Sequence, residues 1–283
     1  MDFASLFPDL KPWVQSLSHN GLVTFIKSSS WIFPSLLVFH LLGLVTVGGS
    51  ILLPGLRLMG VGMTSESPAS IEKTVRPWLW VGLVLLVISG VVMGMVNPMR
   101  LYTRPAFFVK VIALIPALIL SFGVIRSIAA RDGAFTRNSK IMAGVALALW
   151  LAAVIIFGTA YGAAPGAFHV ICAGWLIVMA FGSRMTRIVL GAITAVTVVG
   201  VGIVTYGFFP PGEQYDTFME INRWTLRIFA VLVAGFALWE FARASKTEGA
   251  PPRLNRLVGL LTIMAWFTVA AAGRWIGLGG GAS

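Results

Sequence analysis

The sequence predicts an all-α integral membrane protein: eight transmembrane helices, arranged as two parallel four-helix repeats, with the N and C termini both outward. Three observations carry this. The 283-residue chain is 58% hydrophobic and only 11% charged, the composition of a polytopic membrane protein. Apolar runs long enough for a hydrocarbon core recur eight times along it, and with no water to satisfy the backbone such runs must be helical. Lys and Arg gather in alternate connections between the runs, which sets orientation.

The spans follow in order. The first, Trp31 to Leu53, contains no Asp, Glu, Lys or Arg but holds His40 at its middle. A polar connection from Pro54 to Pro77 carries Arg57, Glu66, Glu72, Lys73 and Arg76, and the second span runs from Trp78 to Val96. After a short loop with Arg100 and Arg104, the third covers Ala106 to Ile125 and includes Lys110. A basic connection, Arg126 to Lys140, leads to the fourth, Ile141 to Tyr161. Gly162 to Gly166 reads as a tight turn into the fifth, Ala167 to Ser183, with His169. The sixth is Ile188 to Phe209; an acidic loop with Glu213, Asp216 and Glu220 precedes the seventh, Trp224 to Phe241. The eighth is Leu257 to Ile276, followed by a Gly-rich tail.

Most of the 21 Lys and Arg lie in the connections after spans one, three, five and seven. Those connections are therefore expected inside, with the termini and the acidic loop outside. An internal duplication is also legible. Val-Phe-His at 38–40 matches Ala-Phe-His at 167–169, and Lys110 and Arg126 are spaced as Arg227 and Arg243 are. The expected division is an interfacial segment, residues 1–30, a first repeat, 31–162, and a second, 163–283. An even number of spans per repeat makes the repeats parallel.

The net charge of +11 is not a nucleic-acid signal, because the basic residues sit at the ends of apolar runs, where headgroups and orientation account for them. Cys172 is the one cysteine. It allows no intrachain disulfide, no Cys-rich metal site and no C-x-x-C-H attachment, so any haem is held non-covalently. The first 28 residues mix Asp2, Asp9, Lys11, His19 and Lys27 with apolar positions. They lack the plan of a signal peptide and read as an amphipathic segment on the membrane surface. No Walker A, H-E-x-x-H, serine triad or dinucleotide fingerprint is present.

The candidate functional residues are polar groups at membrane depth, which are costly and mark function by default. In the oriented chain His40, Lys110, His169, Arg223, Arg227 and Arg274 fall in the outer half or at its edge. Acidic residues within the spans are nearly absent; Glu240 is one, expected to meet Arg243. An anionic guest would answer the outer cations. His40 and His169, equivalent under the duplication, suit haem iron as neutral imidazoles, with Lys110, Arg227 and Arg274 available to propionates. Each histidine could instead hydrogen-bond a neighbouring helix, and Lys110 could snorkel to the interface. Met93 and Met95, with His40, form an alternative soft site for copper, against ordinary methionine packing.

The stretch W-x-F-P, F-H-x-x-G, G-G and L-R-L-M-G from Trp31 to Gly60, followed by P-x-F-F-x-K ending at Lys110, resembles an uncharacterised bacterial family of four-helix membrane proteins. More distantly it is similar to the copper-resistance D proteins and to the membrane protoporphyrinogen oxidases that carry haem b. In the latter, a first-helix histidine followed by a glycine-rich turn and a lysine on a later helix are functional. That resemblance implies roles for His40 and Lys110, with Pro54 to Leu58 at the turn. In the second half Arg227 stands in the lysine's place, and the arginine-bearing stretch reads R-M-T-R-I. The expected function is a b-type haem protein of the bacterial inner membrane that passes electrons between a periplasmic redox partner and the membrane pool. A copper permease, or a membrane anchor or assembly subunit of a larger complex, are the alternatives.

Overall fold

A computed structural model of the chain describes residues 1–161, 163–209, 214–243 and 251–277. Thirteen α-helices follow one another among these residues. Three short ones, α1 (Phe3–Leu6), α2 (Lys11–Leu17) and α3 (Gly21–Ser28), form the N-terminal segment. Next come α4 (Ile32–Met59), α5 (Pro68–Val96), α6 (Pro98–Tyr102) and α7 (Pro105–Leu118), which passes through a π-helical stretch, Ile119–Ile125, into α8 (Arg126–Ala129). Then follow α9 (Arg137–Tyr161), α10 (Ala163–Phe181), α11 (Arg184–Ile203) with a π-helical end, α12 (Tyr215–Arg243) and α13 (Arg253–Gly277). Eight of these, counting α7 to α8 as one, are long and apolar enough to cross a membrane.

Each of the eight spanning helices overruns its predicted span at one end or both. Hydropathy marks only the part that lies in hydrocarbon, whereas a helix continues until a cap stops it. Thus α4 runs past Pro54 and Arg57, expected in the connection, and ends at Gly60, whose φ of 75° suits a left-handed cap. Ser67 opens α5 by accepting from the Ser70 N–H, with Pro68 in the first turn, so Glu72 and Arg76 are helical and not loop residues. The expected turn at Gly162–Gly166 is α10 from Ala163 onward, residue 162 lying outside the described residues. Asp216 and Glu220, expected in a loop, occupy the first turns of α12, while Glu213 lies outside the described residues.

The chain divides into two compact units. Unit 1 is Met1–Ala160 with Pro252–Ser283, and unit 2 is Tyr161–Pro251. Packing therefore groups the spanning helices as five and three, whereas the duplication expected from the sequence groups them as four and four.

In unit 1 the last helix is the central one. An 18-residue window of α13 is 72% buried, against 11% to 50% for the other spans. It packs on both α4 and α7. Small residues permit this: a Cβ added at Gly259 would meet the Gly55 carbonyl, and one at Gly55 would stand 2.9 Å from Ile263. Polar and aromatic contacts fix its register. The Trp150 indole of α9 donates to Thr268 at 2.9 Å, Trp266 donates to Ser121 at 2.9 Å, and the rings of Phe157 and Trp275 meet edge to face. At the other end Asn255 donates to the carbonyl of Gly133, itself at φ +95°.

Unit 2 is built on α10 and α12, whose core holds Val178, Leu190, Phe229, Val233 and Ala237. Gly174 lets α12 approach, since a side chain there would strike Val233. Glu240 does not meet Arg243. It accepts a hydrogen bond from the Thr186 hydroxyl, and the Arg243 guanidinium lies over Trp239, 5.4 Å from the ring centre. A hydroxyl is the cheaper partner here, because Glu240 is buried and Arg243 can stay exposed while stacked.

Candidate functional site

Two of the residues singled out in the sequence, His40 and Lys110, have defined surroundings in unit 1. The site starts from a close crossing of α4 and α5. A Cβ on Gly43 would lie 3.0 Å from the Gly82 carbonyl oxygen, and one on Gly82 would lie 2.8 Å from a Val47 methyl. Only glycine at both positions allows this approach without a shift. Two turns further out the same crossing brings the His40 Nδ1 to 2.9 Å from the Ser89 hydroxyl oxygen. Gly90 leaves room for the ring; a Cβ there would come within 3.3 Å of its Cε1.

The hydrogen bonds decide the tautomer. Ser89 donates its one hydroxyl proton to the Leu85 carbonyl. On that assignment His40 carries its proton on Nδ1 and donates it to Ser89. Nε2 is left with a lone pair, the form of imidazole that ligates a metal, and a fixed Nδ1–H is the usual support for such a ligand.

Lys110, on α7, is half-buried and rests on Gly273 of α13; a Cβ at Gly273 would lie 3.6 to 3.8 Å from its Nζ, Cε and Cδ. No carboxylate pairs with it among the described residues. Arg274 follows Gly273 directly and is exposed. At the same end Arg100 donates to the Gly277 carbonyl at 3.0 Å, which ties α6 to the last turn of α13.

The remaining candidates are placed apart from this pair. Met93 follows Ser89 by four residues and so shares its helix face, one turn further out; Met95 lies about 200° round the helix from Met93. In unit 2 His169 is buried and donates from Nδ1 to the Pro165 carbonyl at 2.7 Å. Arg227 is exposed, its guanidinium 5.2 Å from the centre of the Trp224 ring. No group of three or more His, Cys, Asp or Glu suited to a metal ion occurs among the described residues.

Residues 32–167 match a family of unknown function, DUF6644. The match spans α4 to α9 and the first turn of α10, and so contains His40, Ser89, Met93 and Lys110 but not His169, Arg227 or Arg274. The likeness to DUF6644 fits the expected resemblance to an uncharacterised family; it carries no activity and gives no support to the copper-resistance D or haem-protein resemblance. No curated protein and no solved structure matches the chain.

Ser89, Gly90 and Gly273 are absent from the sequence-derived list. Their signal is weak, since small residues in apolar runs serve helix packing generally, and no local spacing links position 89 to position 40. A second polar cluster also went unread. At the other end of the crossing Ser50, Glu72, Arg76 and Ser121 line a cavity of about 20 Å³, room for one water. Pro54 has no N–H to offer the Ser50 carbonyl there, and Arg76 pairs with Glu72.

Proposed function

We propose that this protein is a b-type haem protein of the bacterial inner membrane, passing electrons between a periplasmic redox partner and the membrane pool. The observation that supports the reading best is the His40–Ser89–Leu85 relay, which presents Nε2 of His40 as a ligand.

The residues present fit the group chemically. His40 would hold the iron through Nε2; its imidazole contacts Ser89 through Nδ1 and seats its ring against Gly90. Lys110, a cation without a carboxylate partner among the described residues, suits a propionate, and exposed Arg274 suits a second. His169, held through its own Nδ1, has the same ligand chemistry in the second half. The group itself would supply the one-electron chemistry, while the chain supplies ligation, anchoring and a water-poor setting. The distant resemblance to haem-carrying membrane protoporphyrinogen oxidases points the same way. The test is an optical spectrum of protein purified after haem-replete expression. A Soret band that His40→Ala removes supports the reading, and no Soret band ends it.

A second reading, a copper permease of the copper-resistance D type, is favoured by the shared face of Ser89 and Met93, which sets one thioether on the His40 side of α5. Copper bound by the purified protein and lost in Met93→Leu, with no Soret band, would select it.

A further inference from the structure

The N-terminal segment packs on the rest of unit 1 through Val14, Val23 and Ile26, which are buried, and through Phe3, whose ring meets Phe107 and Phe108. The Tyr102 hydroxyl donates to the Phe7 carbonyl at 2.5 Å. Where α3 turns into α4, a groove of about 280 Å³ opens between the segment and the end of α5, lined by Ile26, Lys27, Ser29, Phe33, Val96 and Asn97.

Its chemistry is divided. Ile26, Phe33 and Val96 make an apolar side, and Lys27, Ser29 and Asn97 a polar one. Lys27 has no ion-pair partner among the described residues. The Ser29 oxygen accepts from the N–H groups of Trp31 and Ile32, so its own proton is free to be donated outward. Asn97 is exposed at the C-terminal cap of α5. The groove therefore offers one positive charge, a hydroxyl donor and an amide donor to a single ligand. All three match a phosphate diester.

The groove's position selects the source of the phosphate. It lies at the level where α4 begins and α5 ends, the boundary between headgroups and hydrocarbon for two spanning helices. Trp31, 68% exposed beside it, is a side chain that favours that boundary. The volume is at the low end for ligand pockets. It holds a phosphate and glycerol, so acyl chains must leave along the apolar side past Phe33 and Val96.

We infer that this groove binds one anionic glycerophospholipid of the leaflet on the N-terminal side, with its phosphate on Lys27, Ser29 and Asn97. The site is separate from the His40 cluster and does not depend on haem.

Native mass spectrometry of the full-length protein with added phosphatidylglycerol or phosphatidylcholine tests it. Wild type should retain one phosphatidylglycerol more tightly than any phosphatidylcholine. Lys27→Gln should weaken that one adduct by about fivefold, what one lysine near an anionic surface contributes. Asn97→Leu should weaken it as well, with unfolding temperature unchanged in both. Lys11→Gln, on α2 outside the groove, should leave it unaltered. Equal retention of the two lipids, an adduct insensitive to Lys27→Gln, or an equal loss in Lys11→Gln would each overturn the proposal. Displacement of the adduct by millimolar inorganic phosphate would identify a soluble phosphate site and overturn the assignment to lipid.

Discussion

His40 and Ser89, 49 positions apart in the chain, meet at 2.9 Å across the crossing of α4 and α5. With the Ser89 proton assigned to the Leu85 carbonyl, the contact assigns the imidazole proton to Nδ1. Removing the serine oxygen should therefore act on ligation, not merely on packing. Ser89→Ala is expected to keep the fold but to weaken cofactor retention by about 10- to 100-fold, the usual cost of losing a partner behind a ligating histidine. Haem titration of the two proteins, followed at the Soret maximum, measures it.

The glycine crossing of α4 and α5 should tolerate little added volume. Gly82→Ala puts a methyl 2.8 Å from Val47, and relief requires moving two packed helices. A loss of about 1–3 kcal/mol is expected, with a lower unfolding temperature in detergent. Gly48→Ala, where an added Cβ meets nothing within 4 Å, is the control and should leave it unchanged.

Lys110 separates anchoring from snorkelling. If it holds an anion, Lys110→Met should lower cofactor occupancy and Lys110→Arg should keep most of it, since the charge remains. If it only reaches for the interface, both variants should behave as wild type. Gly273→Leu, which fills the surface on which the lysine rests, should reproduce the Met variant. Occupancy per protein by pyridine haemochrome decides among these outcomes.

The place of α13 gives a prediction that owes nothing to the cofactor. Its neighbours α4 and α7 would lose the helix between them if the chain stopped at residue 251. Such a truncation should fail to accumulate in membranes. Supplying residues 252–283 as a separate chain should restore it, because the Trp150–Thr268 and Trp266–Ser121 hydrogen bonds fix the register without a covalent link. Within the intact chain, Trp266→Phe should cost about 1 kcal/mol for the lost hydrogen bond, read as a small drop in unfolding temperature.

Eight spans were legible in the sequence because each is a predominantly apolar run, and hydropathy reports transfer into lipid directly. Helix ends were not, since Ser67 and Gly60 act through local geometry that a hydropathy window averages away. His40 and Lys110 stood out because ionisable groups are rare at depth. Their surroundings did not: Ser89, Gly90 and Gly273 are small residues among many, and only the crossing of α4 and α5 and the central seat of α13 bring them to the two side chains. The grouping of α13 with the first four spans was hidden for a related reason. In lipid every helix is apolar, so hydrophobicity does not say which one is innermost; the contacts of Gly259 with Gly55 and of Trp266 with Ser121 do.

The reduced-minus-oxidised spectrum of the purified protein, wild type beside His40→Ala, bears most directly on the central claim. A wild-type Soret and α band of b type, both lost in His40→Ala while the variant still folds, is the expected result. A featureless wild-type spectrum after haem-replete expression, or bands that survive His40→Ala unchanged, would contradict it.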